Sequence, residues 1–328
     1  MRPRVVHLVD DTTAGGVMRV LDFLSSSAAL AEVADHEIRT IDRGRALPGR
    51  IGADIIVSHL AISWRALPML LALRMGHVYT PLIHVEHSYT ERFVALNVPR
   101  KRRFATLLKT SYALFNRVVA VSNGQRDWLL RQGHVRADRA VTIQSCVDLS
   151  GFRAVPATGK PLRVLGAIGR LDRQKGFDLA IRALRQMPSL PVELHFYGQG
   201  DQEPLLRELA DGDGRIRFMG FAPDPVAAMA SVDAVVMPSN WEAYGLVAIE
   251  ALSARRPVLV NAIDGLLDHR QHGARVVPEM TVAAWSKAIR EMAFGSLTLP
   301  QPDAPPDLER VFERKWNDLI RDLHGHAG

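Results

Sequence analysis

Cysteine occurs once in this chain, at Cys146. That excludes an intrachain disulfide and a cysteine-rich zinc module, and it fits a reducing compartment. No apolar run approaches the ~20 residues that a membrane-spanning helix needs. The most apolar short stretch, Ala66 to Leu73, is closed off by Arg65 and Arg74. The first residues hold no secretory apolar core, because Asp10 and Asp11 interrupt it. The expected location is cytoplasmic. The dinucleotide fingerprint Gly-x-Gly-x-x-Gly is missing after the first strand, which argues against a nicotinamide enzyme, and no P-loop is matched. No internal repeat of short period is visible.

What is present is ordinary in bulk and uneven in charge. The 328 residues suggest two domains at roughly 150 residues each. With 47% hydrophobic and 23% charged residues, the chain is globular rather than disordered or collagen-like. The net charge is +6, but the stretch Arg92 to Arg139 holds eleven basic residues against Asp127 and Asp138. That stretch alone is +9 (11 − 2), leaving −3 for the rest (6 − 9). Such a patch points to an anionic partner: nucleic acid, lipid headgroups or a phosphorylated substrate. A solvated helical face explains it equally well.

Strands and helices alternate along the chain. Val5 to Val9, Ile55 to Val57, Leu82 to Val85 and Val118 to Val121 read as buried strands. Val17 to Leu30 has helical spacing, and Ser122-Asn123 caps a helix through Leu130. Val155 to Pro161 reads as a linker. Beyond it the alternation restarts, with strands at 163–168, 192–197, 215–219, 234–237 and 257–260 and helices at 177–187, 202–210 and 247–254. This predicts two doubly wound α/β halves with a ligand cleft between them. After the proline-rich break 300–306, Leu308 to Leu323 has the spacing of an amphipathic helix that ties the halves together.

Several constellations can carry chemistry. Gly15-Gly16 sits between the first strand and a helix, where bare backbone approaches an anion closely; a plain turn explains it as well. The loop Gly169 to Gly176 places Arg170 and Lys175 at a strand's carboxyl end, Arg170 for two parallel bonds to phosphate and Lys175 as a point charge. In the segment Pro238 to Glu250, Glu242 lies in a loop after a strand. Tyr244-Gly245 then allow a turn, and Leu246 opens a helix with free N–H groups. Glu250 lies one turn inside, and a carboxylate there can accept two hydroxyls of a sugar diol. Spacing alone does not separate this from a helix-capping acid and a salt-bridged glutamate. In His84-Val85-Glu86-His87, His84 and Glu86 share one strand face and His87 takes the other. A structural role is expected for His84 and a ligand-facing one for His87. Asp211-Gly212-Asp213 reads as a turn rather than a metal site.

Together these motifs resemble the retaining glycosyltransferases of family 4, which have the GT-B fold. The likeness rests on Gly169-Arg170-Leu171 with Lys175-Gly176, Phe196-Tyr197-Gly198-Gln199-Gly200, Phe218-Met219-Gly220-Phe221, and Pro238-Ser239 through Glu242-Ala243-Tyr244-Gly245-Leu246 to Glu250. Gly15-Gly16, His87, Val119 to Ser122 and Phe312 to Trp316 extend it over nearly the whole chain.

The resemblance implies two Rossmann-like domains facing a cleft, residues 1–157 and 158–304, with a cross-domain helix at 305–328. It implies a UDP- or GDP-sugar donor, no cofactor and no catalytic metal. Arg170 and Lys175 would take the diphosphate, with Gly15, Gly16 and Gly198 approaching the donor. Glu242 would bind the sugar hydroxyls and Glu250 the ribose. Tyr244, Gly245 and Leu246 would offer backbone N–H groups. His87 would stand at the reaction centre. A glycan or lipid-linked glycan would accept the sugar in surface polysaccharide synthesis, and the basic stretch would rest on an anionic inner-membrane surface. Arg255 stands where the family usually has Gly, Asp264-Gly265 replace its Gly-Gly, and Asp268 stands for a usual Glu. The competing readings are a non-catalytic nucleotide-sugar-binding scaffold and a basic nucleic-acid-binding protein. The second lacks any recognised reader motif, so nucleic acid is not an expected partner.

Overall fold

The computed structural model describes residues 2–13, 15–42, 49–157, 162–295 and 307–325. The chain forms two units, Met1–Asp148 with Asp307–Gly328, and Leu149–Pro306.

The first unit contains β1 (Arg4–Val9), α1 (Gly16–Ser26), α2 (Ala28–Ala31), β2 (Asp35–Thr40), β3 (Ile55–Ser58), α3 (Leu67–Gly76) and β4 (Leu82–Glu86). It continues with α4 (Glu91–Asn97), α5 (Lys101–Tyr112), β5 (Arg117–Ala120), α6 (Asn123–Arg131) and β6 (Ala140–Thr142). Its six strands run parallel in the order β2-β1-β3-β4-β5-β6. The central strands are β-branched, and β3 and β4 are buried throughout, as a sheet covered on both faces requires.

The second unit contains α7 (Ser150–Arg153), β7 (Val164–Ile168), α8 (Phe177–Arg185), β8 (Glu193–Tyr197), α9 (Glu203–Ala210) and β9 (Ile216–Gly220). Then come α10 (Pro225–Ala230), β10 (Ala234–Met237), α11 (Leu246–Ser253), β11 (Val258–Asn261), a 3-10 helix (Asp264–His272), β12 (Arg275–Val277) and α12 (Val282–Ala293). The sheet order is β12-β11-β10-β7-β8-β9, again all parallel. Helix α8 shows how the sequence builds a layer. Phe177, Ala180, Ile181 and Leu184 recur at helical spacing and are buried, while Arg182 and Arg185 complement the dipole in the last turn.

Two boundaries differ from expectation. Residues 158–161 and 296–306 lie outside the described residues, and with them the expected break at 158 and the proline-rich stretch 300–306. The division falls earlier, after Asp148. Segment 150–156 belongs to the second unit because two arginines hold its carbonyls there. Arg255 Nη2 donates to Val155 O (3.0 Å), and Arg256 Nη1 donates to Pro156 O (2.9 Å). The closing helix, α13 (Leu308–Gly325), is part of the first unit rather than a separate element. Phe312, Trp316, Leu319, Ile320 and Leu323 are buried, each at a stabilisation of about 1.5–3 kcal/mol. Polar contacts set its register on that unit: Ser27 Oγ to Glu313 (2.6 Å), Asn317 Nδ2 to Ala29 O (3.1 Å) and Arg117 to Asp322 (2.9 Å).

Gly198 joins the loops after β7 and β8. Its φ is +151°, and a Cβ there would stand 1.9 Å from Gly169 O. Gly198→Ala should therefore destabilise the second unit by more than about 3 kcal/mol, since backbone strain and overlap add. A denaturant midpoint within error of the parent would refute this.

Candidate functional site

Read along the sheet from β9, the second unit's order is 3-2-1-4-5-6, and the chain reverses direction between β7 and β10. Ligands bind outside the carboxyl ends of the strands at such a reversal. The loop after β7 is Gly169 to Gly176 and the loop after β10 is Pro238 to Gly245, so the two motifs flank this one point. Helices α8 and α11 start there, with their free N–H groups toward the same edge.

The two loops are bound to each other. Lys175 Nζ lies 2.6 Å from Glu242 Oε2, and both side chains are largely buried. Gln174 Nε2 donates to Glu242 Oε1 (3.4 Å) and Ser239 Oγ to Oε2 (3.5 Å). Asn240 N donates to Gln174 O (2.7 Å), and its Nδ2 to Arg173 O (2.7 Å). Gly176 makes this approach possible. Its φ is +59°, and a Cβ would stand 2.4 Å from Pro238 O. Arg170 is well exposed and touches Asp172 (3.2 Å) and Gln174 (3.3 Å). Glu250, on α11, is buried and not without a partner. Tyr244 is buried as well, and its carbonyl meets His269 Nε2 at 2.7 Å. Burial lowers the His269 imidazole to about 4, so the ring is neutral near pH 7 and donates from Nε2 to the carbonyl. Gly245 and Leu246 open α11, whereas Gly198 packs on Gly169 one loop away. Asp211-Gly212-Asp213 is a turn between α9 and β9, with Asp213 held by Arg215 (2.6 Å).

In the first unit the chain reverses between β1 and β3. Gly15 and Gly16 lead from β1 into α1 at that reversal. Gly15 is extended, and among the described residues a Cβ would meet only Thr13 O at 3.7 Å. Its own unit therefore does not require a glycine there. His87 follows β4, and it does not stand alone. Its Nε2 lies 2.9 Å from His59 Nδ1, His59 Nε2 lies 3.0 Å from His7 Nδ1, and His7 Nε2 lies 3.0 Å from His36 Nδ1. The sequence did offer a signal for this row. His7 interrupts the apolar run of β1, a strand buried on both faces where a polar ring needs partners. Burial lowers His36 and His87 to about 4, against the neighbouring carboxylates of Asp35 and Glu86. His7 and His59 are lowered well below the ordinary value by burial and by each other's neighbours in the row. His84 is buried on the other face, 3.5 Å from Glu86 and against Tyr112 and Phe115.

Comparison with known proteins agrees with both halves of this picture. Residues 162–293 match the family described as "Glycosyl transferases group 1", and residues 22–150 match "Glycosyltransferase Family 4". In both units the chain is glycosyltransferase-like. It is 36% identical over 121 residues to a glycogen synthase of Thermus thermophilus, which covers 35% of this chain and 28% of that protein. It is 29% identical over 307 residues to a D-inositol 3-phosphate glycosyltransferase of Saccharomonospora viridis, covering 84% of this chain and 70% of that one. The chain thus spans well under half of the first of these relatives. The solved structure of Anabaena Alr3699/HepE in complex with UDP and glucose superposes with a TM-score of 0.66 at 16% identity, covering 98% of this chain and 95% of that one. The fold is GT-B, two Rossmann-like domains.

Arg255 (φ +55°) and Asp264 (φ +36°) hold the left-handed conformation that glycine adopts freely. Eight of the eleven basic residues fall into two groups. Arg117, Arg126, Arg131 and Arg136 are each paired with an acid. Arg100, Lys101, Arg102 and Arg103 are exposed at the start of α5, with Arg103 over the ring of Trp64 (5.2 Å).

The lowered histidines set an acid limit. Between the ordinary value of 6.5 and about 4, the unfolded chain binds protons that folded His36, His87 and His269 refuse. Their contribution is complete above 6.5 and is lost as pH falls through that window. Denaturant melts from neutral pH down to about pH 4 should show a falling midpoint. A flat midpoint would mean that these rings titrate normally.

Proposed function

We propose that this chain is a retaining glycosyltransferase that moves a sugar from a UDP- or GDP-linked donor to a glycan or lipid-linked glycan acceptor. The observation that carries the reading is the Lys175–Glu242 contact at the β7/β10 reversal. A cation for a diphosphate and a carboxylate for sugar hydroxyls stand side by side, where a nucleotide sugar presents phosphate and sugar side by side. The donor would displace the ion pair, with Lys175 and Arg170 taking phosphate and Glu242 taking hydroxyls. Glu250, inside α11, would take the ribose. The N–H groups at Tyr244, Gly245 and Leu246, and the bare backbone of Gly15-Gly16, would stabilise the leaving diphosphate without a metal. His87 would face the sugar. In front-face displacement the leaving phosphate accepts the acceptor's proton, so no side-chain nucleophile is needed. The UDP and glucose held by the Anabaena protein support a donor of this class.

Thermal melts with UDP, GDP, ADP, TDP and their sugars test the donor. One nucleotide should stabilise selectively and equally with and without magnesium, by about 2.7 kcal/mol at a hundredfold excess over its Kd. Lys175→Ala and Glu250→Ala should lose that response. No response to any nucleotide would count against the donor site.

The start of α5 would rest on an anionic membrane. Four cations at a helix N-terminus oppose the helix dipole, and no acid occupies the first turn. An anionic surface relieves that conflict. Vesicles containing phosphatidylglycerol should bind the protein, and binding should fall when Arg100, Lys101, Arg102 and Arg103 become Gln. Undiminished binding by that variant would remove the membrane contact.

A further inference from the structure

The four-histidine row of the first unit runs across the sheet, one ring from each of four neighbouring strand positions. His36 lies on β2 and His7 on β1, His59 directly follows β3 and His87 directly follows β4. The parallel register explains how they meet. His36 pairs opposite Val5, and His7 is two residues further along the same face of β1. His7 pairs opposite Val57, and His59 is two residues further along β3. Each step advances by two, the side-chain period of a strand, so every ring stays on one face. The row begins near the amino end of an edge strand and finishes at the carboxyl edge, beside the β1/β3 reversal. Trp316 of the closing helix covers its middle, with its ring 6.0 Å from that of His7.

Hydrogen counting sets the direction of the row. A neutral imidazole has one N–H and one lone pair. Each of the three N···N contacts takes one hydrogen, so all four rings must point the same way. Either each ring donates toward His87, leaving the last hydrogen on His87 Nδ1, or each donates toward His36, leaving it on His36 Nε2. His36 Nε2 is buried and has no hydrogen-bond partner among the described residues. A buried N–H without a partner is rarer than an acceptor without one. The hydrogens therefore run toward His87.

We infer that His36, His7 and His59 are positioning residues that fix the tautomer of His87 and present its Nδ1–H as a neutral donor to an oxygen of the sugar substrate. The inference rests on the placement of His87 at the reaction centre. Without the row, His87 could turn a lone pair outward and accept a hydrogen from a hydroxyl instead. With it, the site offers a donor of fixed orientation. Burial keeps the rings uncharged near neutral pH, which the counting requires.

The test is two-bond proton–nitrogen correlation on protein with 15N-labelled histidine at about pH 8, where free imidazole is neutral. The parent protein should carry the hydrogen of His87 on Nδ1. In His36→Glu, on the half-buried edge strand, a carboxylate accepts from His7 Nε2 and the whole row reverses, so that the His87 hydrogen moves to Nε2. In His36→Gln the amide still donates to His7 and the His87 hydrogen stays on Nδ1. For turnover of UDP-glucose, or of the donor selected by the melts, His36→Glu should lower kcat about tenfold with little change in KM, as expected for one lost hydrogen bond. His36→Gln should keep kcat. A hydrogen on His87 Nε2 in the parent, or an unchanged His87 tautomer in His36→Glu, overturns the inference. Full turnover by His87→Ala would overturn instead the placement of His87 at the reaction centre. The tautomer result stands or falls without any substrate.

Discussion

In both sheets every strand runs parallel to its neighbours, so every strand ends on the same edge. Most crossovers return the chain to the opposite edge through a helix, and most of those helices begin soon after a strand has ended. Loops far apart in sequence are thereby gathered on one rim together with helix N-termini. The rim is crowded except where the direction of winding reverses. Lys175 and Glu242 are 67 residues apart, yet they touch because β7 and β10 are neighbours at that reversal. Nothing local to either loop would produce the contact.

The same constraint acts on the buried polar groups. A side chain inside a parallel sheet faces a covering helix, so a polar ring there must find a partner within the layer. His7 satisfies both its nitrogens with other histidines. Burial outweighs the carboxylates of Asp35 and Glu86 at the two ends of the row and disfavours charge on its rings. Glu242 follows another course. It keeps a cation, an amide and a hydroxyl around its carboxylate while largely out of water.

Strand legibility followed apolar content more than position in the sheet, since edge strand β9 coincides with the strand expected at 215–219. The central strands β1, β3, β4, β7, β10 and β11 are apolar on both faces and stand out as hydrophobic runs. Edge strands β2, β6 and β12 do not. Asp35-His36-Glu37-Ile38-Arg39-Thr40 is half exposed and carries charge along its whole length, so hydrophobic periodicity had nothing to register. The loop motifs of the second unit were visible because glycines and charges interrupt strongly apolar elements. Apart from the polar interruption at His7, the histidine row was not, because its touching members lie 28, 29 and 52 residues apart and only the register aligns them. The boundary after Asp148 was hidden for a similar reason. The prolines and glycine of 155–161 read as a linker, while the tether that assigns 150–156 to the second unit comes from arginines about 100 residues later.

By itself the sequence determined that two parallel α/β units form, which strands fill their centres, and which loops carry glycine and charge. Those properties follow from local composition and from side-chain periodicity, which act over one or two turns. Only the tertiary structure decided that Lys175 pairs with Glu242, that four histidines share their hydrogens in one line, and that the last helix completes the first unit. Strand order and register decide such contacts, and they arise from packing over the whole unit, which no short stretch of chain encodes.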